Sequence, residues 1–282
     1  SQDITGQYLP SFIDLQAFFT YQINERIHVE YLLNYARNRF SFIPEDRTTD
    51  FGLVNFQSRF TVFYEGEEDD QYQSLMNGLS LVHQVNNHLK LKYLTGVYTM
   101  SENEKFDIIG DYFLGEVETD PGNENLGEVK QELGSGTFHD WARNVLDTRI
   151  YQSAIKGEYL KKKHDVKFGF TYKRELILDK LSEWERRDSS GYSLPYSTTT
   201  VEIFEVLKPE PFELNSNRYS GYIQDTWKLD DSARVTWNYG IRFQYWDVNK
   251  EWVFSPRTQF AYNPKTKKDI ILTAAAGLYM QP

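Results

Sequence analysis

The chain has 282 residues, a net charge of −10, a mean hydropathy of −0.62 and no cysteine. The missing cysteine excludes a disulfide framework and thiolate metal sites, and it suits a chain that crosses the periplasm unfolded. No 18-residue apolar run exists, so a helical membrane span is excluded, while the acidic balance argues against nucleic acid as a partner.

Aromatic residues make up 16% of the chain and fall in alternating runs rather than clusters. The opening SQDITGQYLPSF has neither a basic n-region nor an apolar core, so it is not a signal peptide. A barrel protein requires one, and residues 270–279 read as a strand whose partner does not follow, so the chain is expected to be a piece of a longer polypeptide. Ten strands in five hairpins are predicted. The first pair covers 11–23 and 27–40, with Ile13, Leu15, Ala17, Phe19 and Tyr21 on one face and Val29, Tyr31, Leu33 and Tyr35 on the matching face. The second covers 72–84 and 89–100 around Asn86 and Asn87, and the third 142–160 and 166–174 around the basic turn 161–165.

The fourth hairpin, 218–245, carries the clearest pattern. Val235, Trp237, Tyr239, Ile241, Phe243 and Tyr245 alternate with Arg234, Thr236, Asn238, Gly240, Arg242 and Gln244. Side chains change face at every strand residue, so one face is apolar and aromatic and the other polar and basic. That is the pattern of an antiparallel transmembrane β-barrel, with rings toward lipid and charge toward a wet lumen. The lumen side would be lined by Arg234, Asn238, Arg242 and Gln244, with Lys167 and Lys173. The fifth hairpin covers 255–262 and 270–279.

Connections within hairpins are short, whereas 41–71, 101–141 and 175–217 read as long loops. Tight turns at one end and long loops at the other are the asymmetry of periplasmic turns and extracellular loops. The 101–141 stretch holds eleven acidic residues against Lys105 and Lys130, and 65–70 reads EGEEDD, while the turns KKKHD and NPKTKKD are basic. Solvated loops explain the acidity; attraction of cationic cargo at the mouth is the sharper reading. EGEEDD lacks the spaced ligands and ordered glycine of a calcium loop, and no metal site is expected.

No catalytic constellation stands out. The five histidines never fall three or four apart, and GSG at 134–136 is a flexible loop without the lysine of a phosphate cradle. His139–Asp140, placed in a loop, has no nucleophile beside it. No enzyme activity and no cofactor are expected. Loop aromatics Tyr112, Phe113, Trp141, Trp184, Tyr192 and Trp252 are the candidates for contact with a transported substrate.

YSGYIQDTWKL, ARVTWNYGIRFQYW, SPRTQFAYNP and AAAGLYMQP resemble the barrel of TonB-dependent outer-membrane receptors. NYARNRFSFIPEDRTTDFG and ENEKFDIIGDYFLGEVET resemble the Bacteroidetes branch, whose members often carry a carboxypeptidase-like regulatory domain at the N-terminus. The resemblance implies a barrel of about 22 strands with a plug domain inside. Residues 1–282 would be part of that barrel wall, with plug and TonB box elsewhere. It implies energy-coupled nutrient uptake in the bacterial outer membrane. The implied partners are the plug and remaining strands, TonB, outer-membrane lipid and lipopolysaccharide, and a surface lipoprotein at the mouth. The alternatives are a passive porin or structural barrel, which has no plug, and a soluble glycan-binding β-protein, which needs no detergent.

Overall fold

The computed structural model describes residues 5–53, 56–188, 202–231, 234–264 and 270–280. These form thirteen strands and no helix: β1 (Gly6–Asn24), β2 (Ile27–Pro44), β3 (Arg47–Leu53), β4 (Phe56–Gln84), β5 (Leu89–Val117), β6 (Val129–Lys161), β7 (His164–Lys180), β8 (Glu183–Asp188), β9 (Glu202–Leu207), β10 (Phe212–Lys228), β11 (Val235–Trp246), β12 (Glu251–Tyr262) and β13 (Leu272–Gly277). They make one antiparallel sheet. Ten follow the path β1-β2-β4-β5-β6-β7-β10-β11-β12-β13, which contains all five predicted hairpins, while β3 attaches to β4 and β8 and β9 attach beside β6.

Turn chemistry sets the hairpins. Asn24 Oδ1 accepts from the amides of Arg26 and Ile27, at 2.9 and 3.0 Å, and Asn86 Oδ1 does the same for His88 and Leu89. Asp230 Oδ1 accepts from the amides of Arg234 and Val235 at the entry to β11.

Register brings the alternating apolar residues of neighbouring path strands together on one face. Leu15 opposes Tyr35, which opposes Leu75; Tyr93 opposes Ile155, which opposes Phe170; and Ile223 opposes Ile241. A one-residue slip anywhere would turn a strand's rings to the other side. Large apolar side chains stand exposed along this face, including Phe19, Tyr21, Leu79, Tyr93, Ile155, Ile223 and Ile241. A single-layer sheet has no interior between layers, so such a face needs an apolar solvent.

The long loops expected at 41–71, 101–141 and 175–217 are mostly sheet. β4 and β5 pair continuously from Gln84–Lys90 to Gln57–Val117, and β5 pairs with β6 from Leu89–Tyr159 to Val117–Val129 with register shifts at Leu114/Gly115 and Glu116/Val117. The stretch EGEEDD lies inside β4, and Gly134–Gly136 inside β6 rather than in a flexible loop. At about 3.3 Å per residue, the 29 residues of β5 span about 95 Å, whereas about 11 tilted residues cross a bilayer. Above the apolar band, charged residues and apolar ones such as Ile108, Phe113 and Val117 fall on both faces, so no strict alternation marks these strands. Cross-strand ion pairs support them instead: Arg59–Asp50 and Arg39–Asp69 at 2.7 Å, Lys130–Glu116 at 2.9 Å and Arg143–Asp107 at 2.8 Å. The real turn between β5 and β6 is residues 118–128. β13 is shorter than expected, Leu272–Gly277.

Candidate functional site

The polar face, expected to line the lumen, is built by β6, β7, β10, β11 and β12. Asn238 opposes Gln259 and Thr226, Arg242 opposes Ser255 and Tyr222, and Gln244 opposes Ser220. Asn238 and Arg242 line a 750 Å³ concavity with Lys156, Thr171, Arg257 and Gln259. Arg234 sits one residue before β11, where its amide caps on Asp230. Lys167 and Lys173 are tied within the wall, Lys167 to Glu158 and Asp165 and Lys173 to Glu175 at 2.6 Å. Glu175 also holds Arg218 and Ser216. Among the described residues, no carboxylate pairs with Arg242 or Lys156. This part of the wall presents net positive charge to whatever fills the lumen.

Five of the six predicted loop aromatics stand on strands. Trp141 of β6 stacks on Trp184 of β8 at 5.7 Å, Arg143 lies 4.9 Å over the Trp141 ring, and His139 meets Trp184 edge-on at 4.6 Å. His139 Nε2 and Arg143 Nη2 both reach Asp107, each at 2.8 Å. Burial raises the Asp107 carboxyl, but these two bonds outweigh it and hold it below the ordinary value. His139 is therefore a hydrogen-bond partner of Asp107 on a strand, and Asp140 points to the opposite face. Tyr112 and Phe113 are adjacent in β5 and so face opposite ways: Tyr112 meets Phe60 at 6.0 Å, and Phe113 meets Phe63 edge-on at 5.9 Å. Trp252 lies in β12 among Phe243, Tyr245 and Phe254, on the apolar face. Tyr192 lies outside the described residues.

Sequence reasoning missed two clusters. On the polar face of the tall β4–β6 region, Asn144 Nδ2 donates to Glu104 and Glu183 at 2.8 and 2.6 Å. Glu104, Asp140, Glu183 and Glu185 line a 290 Å³ cleft floored by Phe106 and Ala142. Asp70 stands directly across from Glu104 and is buried. Burial, then Asp70 and Glu104, pushes the neighbouring Glu68 up to about 7. The EGEEDD run signalled acidity, but only the pairing brings Glu104 and Glu183 beside it. The second cluster sits at the short-turn end of the apolar face. His164 stacks on Trp227 at 5.5 Å, Trp227 meets Trp237, and Trp237 meets Tyr239 at 4.7 Å. Asp225 is buried beneath these rings, accepting from the Tyr239 hydroxyl at 2.9 Å and bonded to His164 Nδ1 at 2.6 Å. A belt of rings at one height is an aromatic girdle.

A single sheet, apolar on one side, polar and cationic on the other and ringed by aromatics, is a section of a membrane barrel wall. Residues 14–277 match the family described as TonB dependent receptor-like, beta-barrel, and the chain belongs to that family. It is a family of outer-membrane transporters, not of enzymes. The chain is also similar to the outer membrane transporter YddB from Escherichia coli, at 12% identity and a TM-score of 0.40, over 95% of this chain and 38% of that one. It is similar to BauA, the ferric preacinetobactin receptor from Acinetobacter baumannii, at 11% identity and a TM-score of 0.34, over 92% of this chain and 43% of that one. The chain thus spans less than half the length of either. No curated protein sequence matches it.

Proposed function

We propose that residues 1–282 form part of the wall of an energy-coupled uptake receptor, with a plug and a TonB box elsewhere in the same polypeptide. The family match over residues 14–277 carries this reading. The chemistry of the lumen face supports it: a wall that leaves Arg242 and Lys156 without carboxylate partners suits a polar, releasable body inside the barrel. In this reading the short turns are periplasmic and the tall β4–β6 end is extracellular. Cargo would meet that tall end, where Trp141, Trp184 and Tyr112 stand, while the girdle contacts lipid and the rim lipopolysaccharide. The NYARNRFSFIPEDRTTDFG stretch supports membership of the Bacteroidetes branch, and with it a surface lipoprotein over the mouth.

The passive pore is the competing reading, and conductance separates the two. The full-length receptor, purified in detergent and placed in a planar bilayer, is expected to be electrically silent and to be retained by the immobilised periplasmic domain of TonB. Steady open-channel current together with no retention would establish a pore instead.

A further inference from the structure

At membrane depth the lumen face of β1, β2, β4, β5 and β6 departs from its polar character. Phe18, Leu32, Met76, Leu94, Tyr98 and Ile150 surround a dent of 450 Å³ whose floor is backbone. Gly78 and Gly96 face each other there across β4 and β5. The charges at its margin are already matched: Lys92 bonds Glu30 at 2.7 Å, Ser80 donates to Glu30 at 2.5 Å, and Lys173 bonds Glu175. The dent offers apolar surface and no free charge.

Gly78 has no reason within the wall to be glycine. Its φ is not in the positive region, and a Cβ there would meet only the Leu32 Cβ, at 3.8 Å, which is ordinary contact. At three other glycines of these strands the wall's own rings fill the space, and at Gly96 a Cβ would crowd the Asn77 carbonyl oxygen at 3.0 Å. A Cβ would lie 2.2 Å from Phe168 at Gly157, 2.6 Å from Tyr222 at Gly169 and 2.4 Å from Phe243 at Gly221. A strand glycine costs backbone entropy, and one without a local need marks the close approach of another body.

We propose that this dent anchors an apolar side-chain cluster of the polypeptide segment that fills the lumen; this rests on the reading that the lumen holds a plug. A protein occupant is favoured over a small apolar guest by the surroundings. The dent is open toward the lumen and runs into the polar concavity across β6 and β7, through Gln152 and Lys173 to Thr171 and Lys156. An apolar centre with a broad polar surround is the anatomy of a protein–protein interface. The anchor holds by packing, so it resists salt, while the surrounding polar contacts exchange with water when the plug moves.

The test uses the full-length receptor in cells, with photo-crosslinking benzoylphenylalanine at Leu94 or, separately, at Arg242. Illumination is expected to join Leu94 to a segment of the same polypeptide outside residues 1–282. Gly78→Trp, whose Cβ the wall accommodates, is expected to abolish that adduct while the barrel keeps its heat-modifiable migration. Adducts from Arg242 but none from Leu94, or Leu94 adducts only with wall strands or a small molecule, would overturn the anchor and leave the plug in place. A Leu94 adduct that survives Gly78→Trp would also overturn it. No adduct with a lumen segment from either position would remove the plug reading itself.

Discussion

Ile241 shows how much a single position on the apolar face carries. It faces Ile223 and Pro256 in the neighbouring strands and is 40% exposed, with nothing but bilayer to cover it. Ile241→Arg is expected to cost about 2–4 kcal/mol at mid-bilayer depth. Loss of folded, heat-modifiable barrel in the outer membrane would register this, whereas normal yield and migration would show that the face does not meet lipid. Gly66 is a different case. It holds a φ of 101° inside β4, and a Cβ there would lie 1.9 Å from the Asp107 carbonyl oxygen. Gly66→Ala is expected to cost about 1–3 kcal/mol, confined to the upper part of the β4–β5 ribbon. Limited proteolysis should then cut near residues 56–66 while the membrane band stays intact; unchanged cleavage would contradict the strain.

At the scale of elements, the tall ribbon of β4, β5 and β6 is the part that water, not lipid, surrounds. Its Glu68 keeps a proton up to about pH 7, because burial, Asp70 and Glu104 all disfavour the charged form. The folded ribbon therefore binds a proton that the opened strand releases above its ordinary value of 4.5. Stability from this source is full at low pH and is lost as pH rises toward 7. Hydrogen exchange across residues 60–72, corrected for intrinsic rates, is expected to be slower at pH 5.5 than at pH 8, and Glu68→Gln is expected to flatten the difference. An equal pH difference in the variant would rule Glu68 out as the source. The same ribbon marks the limit of what could be read from the chain. The five hairpins were legible because lipid on one side and water on the other force alternation, as in Val235–Tyr245. From Ser101 to Val117, Phe106 and Ile108 fall on one face and Ile109 and Phe113 on the other, among charged residues, so the alternation vanishes and strands look like loops. The lumen residues Asn238 and Arg242 were legible by parity. Trp141 and Trp184 were visible as aromatics, but their stacking depends on β8 docking beside β6, a pairing between distant segments. The 290 Å³ acidic cleft was hidden for the same reason, since Glu104 and Glu183 come from different strands.

At the scale of the whole molecule, path strands pair with neighbours in the chain, and among the described residues the only interruptions are the β3 ribbon and the β8–β9 pair. The sheet leaves β1 and β13 each with one edge unpaired among the described residues, edges suited to further wall strands. Strand length is uneven along that path. β4, β5 and β6 have 29, 29 and 33 residues, whereas β11 and β12 have 12 each and meet in the tight turn 247–250. The rim is therefore cut on a slant, like the lip of a scoop. Under the proposed uptake function, a large solute arriving from the high side would first meet the acidic cleft, while one arriving over β11 and β12 would meet Arg242 and its neighbours. In a receptor of the proposed kind, the side of approach would decide whether a solute meets carboxylates or guanidinium groups first.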